Sequence, residues 1–134
     1  MSNYILDKAY TVADEDGVGA CIVVVAATNP GECTVPTTAN ASRVLGVTLF
    51  SQPNKGRAVT VRKAGIVRCM AAGRIDYGDP VIVADHYGKV CPESWLKNKV
   101  REAIRVNCIG FAETIALEAG DIVEVFLSLH QRHI

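Results

Sequence analysis

Short runs of alternating apolar and polar residues, separated by glycine turns, extend along most of this 134-residue chain. One phrase, a glycine followed by a Val-x-Val strand, occurs three times, at Gly56–Val61, Gly78–Val83 and Gly120–Val125. Valines at alternate positions of a strand lie on one face of a sheet. The pattern therefore predicts a β-protein built by repetition.

The first and last of these phrases belong to a longer repeat. Gly46 precedes Gly56 by ten residues, and the same pair of glycines recurs at an offset of 64 residues. We therefore interpret residues 44–63 and 108–127 as two copies of one unit. Each copy has an apolar strand, a loop, a glycine turn and a second apolar strand.

One segment has a different period. From Pro92 onward, apolar residues including Trp95 recur at spacings of three and four, which predicts a single short helix at about 92–105. Residues 1–16 are expected to form an N-terminal arm or an edge strand, and residues 17–134 a single β domain. The predicted fold is mainly β, a compact barrel or sandwich of short, mostly antiparallel strands.

Composition and charge exclude several classes of function. The chain has 14 basic and 14 acidic residues, and this zero net charge argues against a nucleic-acid partner, because phosphate binding needs a basic excess. The longest apolar run, Ala20–Ala27, is far shorter than the ~20 residues that cross a bilayer as a helix, so no membrane span is expected. The first residues lack the features of a signal peptide, which predicts synthesis in the cytosol. We interpret the five scattered cysteines as reduced, buried small hydrophobes.

No set of residues predicts catalysis. Cys91 and His86 could form a thiol–imidazole pair, but no oxyanion-hole phrase or orienting carboxylate pattern accompanies them. His130 and His133 alone do not make a closed metal site. The aspartates beside glycines match turn chemistry rather than calcium loops. We therefore expect a protein that is not an enzyme and has no cofactor, metal or small-molecule substrate.

Charge is distributed unevenly between the two copies. Six cations follow one another without an intervening acid: Lys55, Arg57, Arg62, Lys63, Arg68 and Arg74. The second copy is acidic, with Glu113, Glu118, Asp121 and Glu124. Two interpretations remain open. The basic copy of one subunit could face the acidic copy of the next subunit, or another acidic surface; alternatively, these are unconnected solvated charges.

The order of the phrases resembles that of the phage capsid cement, or head decoration, proteins. The matching phrases span about residues 20–129 and are Cys21–Val25, Val44–Thr48, Gly56–Val61, Gly65–Val67, Ile75 with Gly78–Val81, Gly88–Val90, Ile109–Ala112 and Gly120–Val125. The resemblance implies a structural virion protein of a bacteriophage, without catalysis. It implies a homotrimer on the outer surface of the capsid that bridges neighbouring major capsid proteins and stabilises the head.

The charge pattern, the apolar N-terminal residues and the lone tryptophan supply the candidates for contact with another subunit or the capsid. They are Tyr4, Ile5, Tyr10, Arg57, Arg62, Lys63, Trp95, Asp121 and Glu124. Trp95 could equally belong to the core. The rival function is a small β-barrel module that binds a carbohydrate or peptide. Such modules usually display aromatic platforms, whereas the eight aromatic residues here are spread thinly.

Overall fold

The computed structural model describes residues 5–97 and 105–133. Within them the chain forms ten strands and one short helix: β1 (Leu6–Val12), β2 (Val23–Ala26), β3 (Glu32–Thr34), β4 (Val44–Thr48), β5 (Ala58–Ala64), β6 (Ile66–Met70), β7 (Pro80–Val83), β8 (Val90–Pro92), α1 (Ser94–Lys97), β9 (Arg105–Ala112) and β10 (Ile122–His133). The predicted fold class is confirmed: the protein is mainly β, with short, mostly antiparallel strands and one short helix. α1 lies inside the predicted range 92–105, and residues 98–104 of that range lie outside the described residues.

The strands form two sheets that share one topology. β1 to β5, which we call unit one (Leu6–Ala64), form a closed barrel in the order β1-β3-β2-β4-β5. β6 to β10, which we call unit two (Ile66–His133), form a sheet in the order β6-β10-β9-β7-β8. Followed around the barrel from β1 through β5, β4 and β2 to β3, unit one has the strand order of unit two. The two units are therefore tandem copies of one five-stranded arrangement.

The strand register is also the same in both units. Val47 of β4 lies opposite Arg62 of β5. Phe111 of β9 lies opposite Phe126 of β10, at an offset of 64 residues from the first pair. Because one residue of slip would turn every side chain to the other face of the sheet, a shared register means that equivalent residues face the same way in the two units.

The closure of the barrel is repeated in part. β1 and β3 pair in parallel at Val12 and Cys33, which closes unit one. In unit two a single parallel bridge joins Ala71 to Val90 at the equivalent place. Unit two is therefore a more open version of the same barrel.

β7 corresponds to β2 in the sheet, although the residues before β7, with Gly78, resemble those before β5, with Gly56. Gly78 occupies the position of Cys21, and both residues have a positive φ, of 85° and 62°. Their backbone N–H groups make equivalent bonds, from Cys21 to the Thr48 carbonyl and from Gly78 to the Ala112 carbonyl. Glycine adopts positive φ without steric cost. The same turn therefore has glycine in unit two and cysteine in unit one.

The N-terminal strand is part of the barrel. β1 pairs with β5 along Leu6–Thr11 and with β3 at Thr11 and Val12. Tyr10 and Val12 are buried. The backbone from Leu6 onward is therefore paired within the fold, while the division of the chain into residues 1–16 and 17–134 stays a prediction.

The interiors of the two units are clusters built from equivalent positions. Unit one buries Tyr10, Val12, Val24, Val59 and Val61. Unit two buries Cys69, Ala71, Val81, Val123 and Val125 at the same places. Each fully buried valine stabilises the fold by roughly 1.5–3 kcal/mol relative to an exposed one, so these alternating valines explain the stability of the sheets.

The two units share one core at a contact that we call the joint. The cluster inside unit two also contains Val23 and Val47, which lie on the outer face of β2 and β4 in unit one and are fully buried. Leu49 packs against the same cluster. The Val23 N–H donates to the Gly88 carbonyl across the joint at 2.8 Å. Unit one thereby completes the core of unit two.

A helix-bearing segment covers part of the corresponding outer face of unit two. Trp95 and Leu96 pack over a cluster that includes Ile82, Cys91 and Cys108. Cys108 is the counterpart of Val44, which in unit one packs against the core of unit two. In unit one this outer face is covered by unit two. In unit two, α1 covers part of the equivalent face.

The strands approach too closely for a side chain at two equivalent glycines. A Cβ at Gly46 would collide with the Arg62 carbonyl, and one at Gly110 would collide with the Phe126 carbonyl. We expect Gly46→Ala and Gly110→Ala each to lower the free energy of unfolding by about 3 kcal/mol, because backbone atoms must move apart. Chemical denaturation measures the change.

Gly19→Ala is the matched control, because nothing lies within 4 Å of a Cβ built at Gly19. Its effect should stay within about 0.5 kcal/mol. Equal, small effects at all three glycines would contradict the close approach of the strands.

Candidate interaction surfaces

His86 and Cys91 differ in their exposure. The His86 ring is exposed in the turn between β7 and β8 and lies 3.9 Å from the Tyr87 ring, whereas Cys91 is buried in β8. Burial raises the pKa of the Cys33 and Cys108 thiols to about 11, with smaller contributions from nearby carboxylates. Thiols with such pKa values are protonated at neutral pH and are poor nucleophiles.

The histidines near the C-terminus, His130 and His133, both lie on β10. His130 Nδ1 lies 2.6 Å from the Ser128 carbonyl oxygen, and its ring stacks on Phe111 at 5.2 Å. His133 ends β10. In the described ranges 5–97 and 105–133, no three His, Cys, Asp or Glu side chains come together in a way that could hold a metal ion. Over those same ranges, no helix has the length and apolar character to cross a membrane.

Half of the basic run is paired within the chain. The pairs are Lys55–Glu15 at 2.7 Å, Arg62–Asp7 at 2.9 Å and Arg74–Asp76 at 3.1 Å. Arg62 forms two bonds to the Asp7 carboxylate, and this bonding raises the pKa of Arg62. Arg57 and Arg68 are exposed. The basic surface is therefore smaller than a count of cations indicates.

Arg57 and Asp121 occupy equivalent positions, each directly after a turn glycine. The Asp121 carboxylate accepts hydrogen bonds from the backbone N–H groups of Leu117 and Glu118, at 3.0 and 3.2 Å. The Asp121 carboxylate therefore stabilises its own turn. Glu124 lies directly opposite Arg68 on the neighbouring strand. The assignment of Arg57, Asp121 and Glu124 to an interface stays a prediction.

The N-terminal candidates lie in different surroundings. Tyr4 lies outside the described residues, and Ile5 is 51% exposed. Tyr10 is buried, and the ammonium groups of Lys8 and Lys63 lie 5.2 and 5.0 Å from the centre of its ring. Lys63 also donates a hydrogen bond to the Tyr10 hydroxyl. We call these three residues the lysine site; it places two cations over one aromatic ring at one end of unit one.

The sequence interpretation missed an apolar pair on the surface of unit two. Ile66 and Phe126 lie opposite each other on β6 and β10 and are 46% and 47% exposed. The equivalent residues of unit one are Asp7 and Arg62, which form the ion pair described above. Aligning β1 with β6 would have revealed the difference, but the sequence repeat covers only the last two strands of each unit.

A groove of about 570 Å³ lies between the loop after β1 and the turn between β7 and β8. Ile22, Val35 and Met70 contribute apolar lining, and Asp16 contributes an acidic side chain. Tyr87, on the turn between β7 and β8, is 60% exposed. The volume is in the range of sites that hold small ligands or short peptide segments, roughly 300–1,000 Å³.

Trp95 packs against the protein itself. It lies over the Ile82 and Cys108 cluster, and a Cβ at Gly73 would collide with its ring. We expect Trp95→Ala to lower the free energy of unfolding by about 3 kcal/mol, because the outer face of β7 and β9 loses its cover. Thermal unfolding measures this.

The matched control is Tyr77→Ala, which removes an aromatic ring that is 70% exposed. Its melting temperature should match that of the unsubstituted protein. A Trp95→Ala variant that melts normally would contradict a packing role and would return Trp95 to the list of interface residues.

The fold is similar to that of a solved phage structure. The head fiber gp8.5 N base of bacteriophage phi29 superposes with a TM-score of 0.60 and 14% sequence identity, over 93% of this chain and 95% of that chain. No protein-family model and no curated protein sequence matches the chain. At this level of identity the likeness establishes a shared fold.

Proposed function

We propose that this protein is a structural virion protein that decorates the head of a bacteriophage. The observation that carries the proposal is the fold shared, over nearly the whole length of both chains, with the base of a phage head fiber. The order of glycine and valine phrases, which resembles that of the capsid cement proteins, points the same way. The protein acts as a homotrimer on the outer surface of the capsid and contacts the major capsid protein.

The side chains are consistent with a binding role. The thiols with raised pKa values are protonated, and the exposed imidazole of His86 lies beside the Tyr87 ring. In contrast, the surface of unit two exposes Ile66, Phe126, Ile115 and Leu117. Exposed apolar groups of this kind are typical of surfaces that contact other proteins. These surfaces support the proposed structural role, which involves no catalysis.

Decoration stabilises a capsid by mass action. A protein that binds the assembled shell, and not the separated capsid subunits, lowers the free energy of the shell by an amount that grows with its occupancy. Many sites on one shell make the total large even when each site is weak. The proposed mechanism needs only rigid faces that span neighbouring capsid subunits, and the shared core of the two units supplies a rigid body.

The experiment mixes the purified protein with expanded, empty phage heads and sediments them. We expect the protein to pellet with the heads at a saturable stoichiometry and to raise the temperature at which the heads rupture, because bound protein favours the intact shell. Lysozyme at the same concentration is the control for trapping. Protein that remains in the supernatant at all concentrations would overturn the proposal.

The 570 Å³ groove favours one second candidate, a module that binds a basic peptide. Its acidic rim at Asp16 fits a lysine or arginine side chain, and the Tyr87 ring already has one ammonium group, that of Lys89, 5.9 Å from its centre. Titration with an arginine-containing peptide, for the unsubstituted protein and for Tyr87→Ala, separates the two functions. Micromolar binding that Tyr87→Ala abolishes, together with no binding to heads, would place this candidate first.

A further inference from the structure

The joint between the two units shows how one copy of this fold receives another. On the giving side, the outer face of β2 and β4 presents Val23, Val47 and Leu49. On the receiving side, Val67 and Leu127 belong to the cluster into which these residues pack. Leu49 packs against this cluster, and Leu49 and Val67 both line one small pocket.

Unit two carries the equivalent giving face, and it is only partly covered. The counterparts of Val47 and Leu49 are Phe111 and Glu113, at the offset of 64 residues. Val47 has no exposed surface, whereas Phe111 and Glu113 are both partly exposed. Phe126, which pairs with Phe111, is 47% exposed. α1 covers the Cys108 side of this face; on the other side the His130 ring stacks on Phe111, which stays partly exposed.

Unit one carries the equivalent receiving side, with a different chemistry. The counterparts of Val67 and Leu127 are Lys8 and Lys63, by the shared register of β1 with β6 and of β5 with β10. Together with Tyr10 they form the lysine site. Lys8 is exposed, and Lys63 is partly exposed.

The two open surfaces are complementary in charge at equivalent positions. In the joint, the apolar side chains of Leu49 and Val67 line the same small pocket. At the counterparts of those residues, the open giving face has the carboxylate of Glu113 and the open receiving side has the ammonium group of Lys8. The apolar residues Leu49 and Val67 of the joint thus correspond to an acid in unit two, Glu113, and a base in unit one, Lys8.

We propose that the Phe111–Glu113 face of one copy docks on the lysine site of a second copy, in the way that unit one docks on unit two. Glu113 then pairs with Lys8, and Phe111 packs beside Tyr10. The contact joins two different faces, so it repeats from copy to copy and gives a closed oligomer when the rotation between copies closes. The inference deepens the proposed function, on whose self-assembly it rests, by naming the two faces that meet.

The test reverses the two charges separately and together. We expect the unsubstituted protein to be an oligomer by light scattering. We expect Lys8→Glu and Glu113→Lys each to raise its dissociation constant at least tenfold, because each places like charges in contact. The double variant should recover most of the affinity. Glu118→Lys, which changes an exposed acid of the same loop, should leave the mass unchanged.

The melting temperature of each variant checks that it is folded. A folded monomer for the unsubstituted protein, unchanged masses for both single variants, or a double variant that fails to recover would each overturn the inference. These outcomes differ from failure of the proposed function. An oligomer that follows the charge pattern and does not bind heads would overturn only the decoration role, and a monomer that binds heads would overturn only the contact between copies.

Discussion

The packing of Val23 and Val47 into the core of unit two is the contact on which the rest of the structure depends. Both valines point outward from unit one and are fully buried by unit two. Exposing each would cost roughly 1.5–3 kcal/mol, and unit two would lose part of the cover over its more open barrel. Since domain stability is only 5–15 kcal/mol in all, the two units are expected to unfold together.

The two units also show which features a repeated fold keeps and which it changes. The register of the strands, the partial closure at Ala71 and Val90, and the crowded glycines Gly46 and Gly110 are common to both copies. These features involve the backbone, where a change would disturb many hydrogen bonds at once. Side chains that point away from the core differ freely, as Ile66 in unit two and Asp7 in unit one do.

The sequence predicted the fold class and a 64-residue offset, because β4 and β9 keep a glycine at the same place and β5 and β10 keep two alternating valines. It did not reveal the first three strands of the duplication. Their offset is shorter, since the segment that carries α1 lies between β8 and β9. Their turn residues have also changed, from Cys21 to Gly78. A glycine before alternating valines is common to many strands. The residues at Gly78 therefore resembled those before β5, although β7 corresponds to β2.

The candidate site was harder to predict than the fold. Net charge hides pairing, and only the structure shows that Arg62 is bonded to Asp7 while Lys8 has its ammonium group over the Tyr10 ring. Burial is hidden as well, because only the structure shows that Tyr10 lies in the core of unit one, and its assignment to an interface stays a prediction. An interface uses the side chains that stay exposed after the contacts within the chain have formed. A single sequence does not show which side chains these are.

α1 limits how far the repetition of units can continue. In a solenoid, every unit offers the same apolar face to the next one, and the stack ends only at a unit whose outer face is covered or polar. Here Trp95 and Leu96 cover one side of the outer face of unit two, and on the remaining side the carboxylate of Glu113 lies near the partly exposed Phe111 in sequence. Unit one is similarly closed by charge at Lys8 and Lys63. A contact between those two faces is therefore weaker and more sensitive to salt than the joint, because exposed charge pairs are screened while buried apolar contacts are not. In the proposed assembly, one permanent contact inside the chain is combined with a weaker, reversible contact between copies.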